Sequence, residues 1–200
     1  MSLSQNDQER ISTFYRQSIA DFGLDDARSV HWASRYNQQK RFQILSAVAD
    51  LNGHSVLDVG CGLGDLYTFF LENNIDVKYS GIDIMTEFIN RARERFPEAR
   101  FTLESIEDLK KSYDYILASG VLSFKIENHI AHYYALIKKM YTHASKALAF
   151  NMLDAKRHVD NSVFATYRPQ EIKKFCKTFC SNIKIIEDYL DDDFTVYLYK

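Results

Sequence analysis

Three glycines at alternate positions, Gly60, Gly62 and Gly64, follow the apolar run Ser55-Val56-Leu57-Asp58-Val59, with Cys61 and Leu63 between them. Such a turn bends sharply and lets backbone N–H groups approach a ligand with no Cβ in the way. Asp65 and the residues after it have helical character, so the turn opens a helix whose first N–H groups face the same ligand. Asp83 follows at the end of the next apolar run. An acid about 20 residues beyond a glycine turn accepts hydrogen bonds from the hydroxyls of a bound ribose. The chemistry these residues suit is the capture of a small nucleoside-containing molecule. Metal chemistry has little support. Cys61, Cys176 and Cys180 are too few and too scattered for a four-ligand zinc site or a disulfide framework, and the six histidines form no H-E-x-x-H arrangement. Cys176 and Cys180 read as packing residues on one helix face.

These residues need a scaffold. The run 55–59 reads as a buried parallel strand, being short, rich in Val and Leu, and stopped by glycine. Alternating patterns then predict a helix over 65–72, a strand over 77–82, a helix over 86–96 closed by Pro97, strands over 100–103 and 113–118, an amphipathic helix over 129–145 and a strand over 147–152. Pro169 opens a further helix over 169–179, and the runs 183–189 and 194–199 read as a closing antiparallel hairpin. Open parallel sheets bind ligands beyond the carboxyl ends of their strands. The segments Glu104-Ser105-Ile106-Glu107 and Ala118-Ser119-Gly120 should therefore line the crevice at the glycine turn, with Ser105 and Ile106 placed for a base and Ala118 and Ser119 for the far end of the ligand. Two helices, over 5–20 and 34–49, precede the first strand. In the second, Gln38 and Arg41 lie one turn before the core-facing Phe42 and Leu45, at the rim of a site or on a solvated edge. Arg91, Arg93 and Arg95, diluted by Glu87, Glu94 and Glu98, read as a solvated face. On the helix over 129–145, Ile130, Tyr133 or Tyr134, Ile137 and Tyr141 read as core, and His129, His132 and His143 as structural or solvated.

Composition bounds the rest. Two hundred residues, 46% hydrophobic with two prolines, suit one domain, expected as an N-terminal helical cap over 1–50 and a core over 51–200. A net charge of −2 gives no general attraction to nucleic acid or an anionic membrane, so the expected partner is a small molecule and the expected state a monomer or homodimer. No apolar stretch is long enough to span a bilayer and the polar N-terminus is unlike a secretory signal, which makes the cytoplasm the expected location.

Taken together, these motifs resemble the class I S-adenosylmethionine-dependent methyltransferases over roughly 38–200. Four features carry the resemblance: the run from Val56 to Gly64 with an acid two residues before its first glycine, Asp83 after the second strand, helices ahead of the first strand, and the terminal hairpin. It implies an α/β Rossmann-like fold with a seven-stranded mixed sheet of order 3-2-1-4-5-7-6, the last strand antiparallel, and helices on both faces. It also implies S-adenosylmethionine as methyl donor and S-adenosylhomocysteine as product. Gly60, Cys61, Gly62 and Gly64 would line the methionine part, and Asp58 would organise the turn or meet the amino group. Asp83 would hold the ribose, Ile84 and Ile106 would sandwich adenine, Ser105 would stand near its exocyclic nitrogen, and Ala118 would touch the cofactor's far end. The segment from Trp32 to Phe42 is similar to the capping helix of a bacterial small-molecule subgroup, which makes Arg41 a partner for the cofactor carboxylate.

Enzymes that methylate exocyclic base nitrogens or side-chain amides carry Asn/Asp-Pro-Pro-aromatic after strand four. Here the chain reads Ala118-Ser119-Gly120-Val121, which points to another small-molecule acceptor, methylated on O or N by in-line displacement. The polar loop after strand five supplies His158 as the expected general base, with Asp154, Asp160 and Tyr167 nearby and Tyr15, His31 and Trp32 placed to fold over. Two other readings stand beside this one. A nicotinamide-dependent reductase uses a similar turn, but with G-x-G-x-x-G spacing, and here the third glycine comes one residue early. A non-catalytic S-adenosylmethionine-binding protein would keep the pocket alone.

Overall fold

Successive residues of β1 (Ser55–Val59) face opposite cores. Val56 packs with Phe42, Phe70 and Ile89, whereas Leu57 and Val59 pack with Ile116, Ile137 and Phe150. This is the two-residue period of a strand, and burial on both faces requires helices above and below the sheet. The computed structural model describes residues 3–30, 34–156 and 163–200, and shows that arrangement. The other strands are β2 (Lys78–Asp83), β3 (Arg100–Leu103), β4 (Tyr113–Ala118), β5 (Ala144–Leu153), β6 (Asn182–Ile186) and β7 (Asp193–Tyr199). The sheet order is β3-β2-β1-β4-β5-β7-β6, with β7 antiparallel to both its neighbours and the other pairings parallel, as the resemblance implied.

Helices α2 (Arg35–Ser46), α3 (Asp65–Glu72) and α4 (Thr86–Arg95) bury their apolar sides in one layer. The other layer is built by α5 (His129–His143), α6 (Pro169–Cys176) and part of α1 (Gln5–Phe22). Ser4 caps α1 by accepting the Asp7 N–H at 3.1 Å, and Gly23 ends it at φ 83°. No helix among the described residues is long and apolar enough to cross a membrane.

Two details differ from the sequence reading. The buried stripe of α5 is His132, Tyr133, Leu136, Ile137 and Met140, while Ile130 is 52% exposed. The helix is rotated because its first turns pack against the 3-10 turn Ile106–Asp108, which takes His132 inward. Strand β5 also begins at Ala144, directly after α5 and without a loop.

Register sets the site. Val59 lies opposite Ile82 on one side and Ala118 on the other, so Gly60, Asp83 and Ser119 leave the sheet side by side. The amides of Gly60 and Cys61 both donate to the Ile82 carbonyl, at 2.9 and 3.0 Å, which folds the turn back over β2.

Candidate functional site

A cavity of about 320 Å³ opens at this carboxyl edge, within the size range of small-molecule sites. Of the residues singled out from the sequence, Arg41, Asp58, Gly60, Cys61, Gly62, Asp83, Ile84, Ser105 and Ile106 line it. Gly64 does not; it stands behind the wall at φ 79° as the N-terminal cap of α3. Ala118 is fully buried inside β4, and the cavity is lined instead by the next residues, Ser119, Gly120 and Val121. His158, His31 and Trp32 lie outside the described residues.

The turn admits only glycine where it meets its surroundings. Gly60 has φ 71°, and a Cβ there would come within 2.9 Å of the Val121 Cγ2. A Cβ on Gly81 would lie 2.8 Å from the Cys61 Cβ and Sγ, so the bare strand position makes room for the cysteine. Cys61 is a packing residue. Burial, with Asp83 and Asp58 adding, pushes its thiol well above the ordinary range, which removes the thiolate a nucleophile would need.

The acids divide by what holds them. The Asp83 carboxylate accepts the Gly62 and Met85 amides, both at 2.9 Å, and so ties the turn to the start of α4. Burial raises its pKa, and the amides of Met85, Gly62 and Ile84 oppose the rise. Asp58 accepts the Tyr79 hydroxyl at 2.7 Å in a buried pocket. Burial pushes its carboxyl up to about 7, the Tyr79 hydrogen bond opposes, and Asp83 and Asp65 add. Asp65, at the first position of α3, accepts Gln38 Nε2 and Arg95 Nη1, each at 2.9 Å. Gln38 is therefore buried in a polar contact and is no solvated edge.

Several polar contacts carry no signature in the sequence. Arg95 was expected on a solvated face, yet it donates at 2.7 Å to the Leu63 carbonyl inside the turn, because α4 runs back beside α3. Arg93 likewise donates to the Phe101 carbonyl, and Arg91 pairs with Asp25. Asn151 on β5 accepts the Gly120 amide at 2.9 Å and donates to Ser119 Oγ at 3.1 Å, which fixes the loop after β4. Arg41 lines the cavity while its Nε donates to the buried Asp193 carboxylate. A ligand carboxylate approaching through Nε would have to displace Asp193.

The remaining wall comes from afar. Leu3, Ile11 and Tyr15 reach down from α1 and its approach, and Val121, Phe124, Leu153 and Phe164 complete an apolar side. Tyr15 meets Phe88 edge-on, with ring centroids 5.5 Å apart. Burial and the nearby Asp83 raise its pKa, so the phenol stays protonated. Helix α1 also meets the rest of the chain through the exposed pair Arg16–Glu87 at 2.8 Å and through Asp7, which accepts the Glu127 amide at 3.2 Å.

Residues 50–191 match the family model of the methyltransferase domain. Rv1506c of Mycobacterium tuberculosis, whose name gives it as a methyltransferase, is 26% identical over 157 residues, covering 73% of this chain and 93% of that protein. The fold is similar to that of magnesium protoporphyrin IX methyltransferase from Synechocystis with bound S-adenosylmethionine: TM-score 0.71, 16% identity, all of both chains covered. It is similar also to the Burkholderia thailandensis 1,6-didemethyltoxoflavin N1-methyltransferase, solved with its acceptor and S-adenosylhomocysteine: TM-score 0.71, 15% identity, 100% of this chain and 91% of that one.

Proposed function

The chain belongs to the methyltransferase-domain family of class I S-adenosylmethionine-dependent enzymes, and from that premise we propose that it transfers the donor's methyl group to an oxygen or nitrogen of a small, neutral, largely apolar acceptor. The family match sets aside the nicotinamide-dependent reductase. The observation that carries the acceptor reading is the two-sided cavity. One side is the glycine turn with Asp58 and Asp83; the other is Ile11, Val121, Phe124, Leu153 and Phe164. Apolar walls with a few polar groups favour a ligand of the same character. The arginine of the wall, Arg41, is paired with Asp193, which disfavours an acceptor that needs its charge neutralised. Two structures of the same fold are named for a magnesium porphyrin and a toxoflavin precursor as acceptors, both of them small molecules.

The residues fit the donor. A carboxylate offers about four lone pairs, so Asp83 can accept a ribose hydroxyl while still holding the Gly62 and Met85 amides. Ile84 presents an apolar side chain, 42% exposed, at the cavity edge where a planar base would cover it, and the buried Ile106 lies on the same wall. The positive φ and close packing of Gly60 keep the turn's backbone bare toward the ligand. Bound there, S-adenosylmethionine supplies an electrophilic methyl on a sulfonium, displaced in line by the acceptor lone pair. The protein's part is to align the acceptor and exclude water, which α1 does by covering the apolar side. Where the acceptor must lose a proton, His158 is the proposed base; His158→Ala would then slow turnover and leave donor affinity unchanged.

The test is release of S-adenosylhomocysteine from S-adenosylmethionine in the presence of neutral ring-containing metabolites and, separately, of carboxylates and phosphates of similar size. Turnover confined to the neutral set is expected. Turnover confined to the anionic set would refute the acceptor reading.

A further inference from the structure

The loops above the carboxyl edge are tied together by a second, smaller piece of pairing. The Ala165 amide donates to the Ser123 carbonyl and the Lys125 amide to the Val163 carbonyl, each at 2.7 Å. Further along the same segment the Tyr167 amide donates to the Leu153 carbonyl at 2.8 Å, and the Ala155 amide to the Tyr167 carbonyl at 2.9 Å. Residues 163–167 therefore strap the loop after β4 to the end of β5. Phe124 and Phe164 stand directly opposite each other in the antiparallel part of this strap, flanked by its hydrogen bonds rather than making them. Residues paired in that way hold their side chains close together on one face. Both rings line the cavity.

The two rings are fixed from a second direction as well. Phe14 of α1 meets both edge-on, its centroid 5.2 Å from that of Phe124 and 6.1 Å from that of Phe164, with ring planes at 64° and 85°. Arg10 donates to the Lys125 carbonyl at 3.2 Å, and its guanidinium lies 5.9 Å from the Phe124 centroid. Backbone pairing and α1 together thus set the ring positions. Resting on the acceptor reading above, we propose that Phe124 and Phe164 form the acceptor's subsite and that this subsite takes a planar, uncharged aromatic ring. Such a ring joins the cluster through edge or offset contacts whose energy adds to the burial of its area, whereas a saturated ring of the same size gains the area alone. A cationic ring is disfavoured because Arg10 already brings positive charge to Phe124. A flexible aliphatic chain must give up its own rotamer freedom against walls that are already set.

Calorimetry on the protein saturated with S-adenosylhomocysteine reads this without turnover, using 2-naphthol and its saturated counterpart, decahydro-2-naphthol. The wild type is expected to bind 2-naphthol about tenfold more tightly, although the saturated compound is the more hydrophobic of the two. Phe124→Leu and Phe164→Leu keep an apolar side chain in place and remove a ring, so each should cut the ratio by about threefold. Retained S-adenosylhomocysteine binding shows that a variant has folded, and the wild-type ratio carries the test by itself if one does not. A wild type that binds both compounds equally, or the saturated one more tightly, would overturn the aromatic assignment and leave the apolar acceptor reading standing. Leu variants that keep the wild-type ratio would remove these two rings from the subsite. Binding of neither compound would overturn the acceptor reading and this assignment with it.

Discussion

Asp58→Asn replaces a buried group that titrates with one of nearly the same shape that does not. The Asp58 carboxyl is pushed up to about 7 by burial, with Asp83 and Asp65 adding and the Tyr79 hydroxyl opposing. In the unfolded chain it titrates near 3.9, roughly the model-peptide value. The folded value is the higher one, so the folded protein holds this proton more tightly. Its contribution to stability is fully present below pH about 4 and is lost as pH rises through about 7. Each pH unit within that window is worth about 1.4 kcal/mol, so from pH 8 down to pH 5 the wild type gains roughly 2.7 kcal/mol that the variant does not. The Tyr79 hydroxyl, 2.7 Å from Oδ2, has an amide oxygen to meet in the variant. The stability of the variant relative to the wild type should therefore be greater at pH 8 than at pH 5 by roughly 2.7 kcal/mol. Urea unfolding at pH 5, 6, 7 and 8 and constant ionic strength measures the difference. Asp26 and Asp114, held down to about 2 chiefly by bonds from Arg28 and the Ser55 amide, titrate below this range. Groups common to both proteins cancel in the difference. A difference that is the same at pH 5 and pH 8 would refute the burial argument.

Other variants test the turn. Asp83→Ala should weaken S-adenosylhomocysteine binding by on the order of 2 kcal/mol in calorimetry, and it should also lower the urea midpoint because the Gly62 and Met85 amides lose their acceptor. Gly60→Ala forces a Cβ to 2.9 Å from Val121 Cγ2 at φ 71°, so a stability loss of roughly 1–3 kcal/mol is expected. Adding Val121→Ala should recover the steric part only, leaving the backbone strain visible in the double variant's melting temperature. Arg95→Gln removes the donor to the Leu63 carbonyl and to Asp65. As this arginine is part-exposed, donor affinity should fall by about 1 kcal/mol with little change in the unfolding midpoint.

The donor side was legible because its information is local. Strand, turn, helix and acid all fall between Ser55 and Asp83, and each is announced by a period or a glycine. Even the Asp58 partner has a trace in the sequence. Asp58 lies opposite Gly81 in the register, and Tyr79, two residues earlier, shares that face. What escaped is the polar wiring between elements far apart in the chain. Gln38 reaches Asp65, Arg95 reaches Leu63, and Asn151 reaches the 119–120 turn. A glutamine or arginine on a helix has the same local pattern whether it meets solvent or a carbonyl in another helix. His132 was missed for a related reason. Apolar periodicity alone leaves the rotation of α5 uncertain by about one position, and one position decides whether the ring faces water or the cavity.

The two sides of the cavity are also fixed with different strength. Gly60, Asp58 and Asp83 are wired into the sheet by register and backbone amides, so changing them disturbs folding and donor binding together. The apolar side depends on α1, whose ion pair Arg16–Glu87 is exposed, with Arg16 at 63%, and so adds little. What holds α1 down is chiefly the packing of Ile11, Phe14 and Tyr15 against Phe124, Phe164 and Phe88. Ile11 and Tyr15 of that packing also face the cavity. The apolar acceptor proposed above would meet these side chains in kind, whereas an anion would leave its charge among Phe124, Phe164 and Leu153.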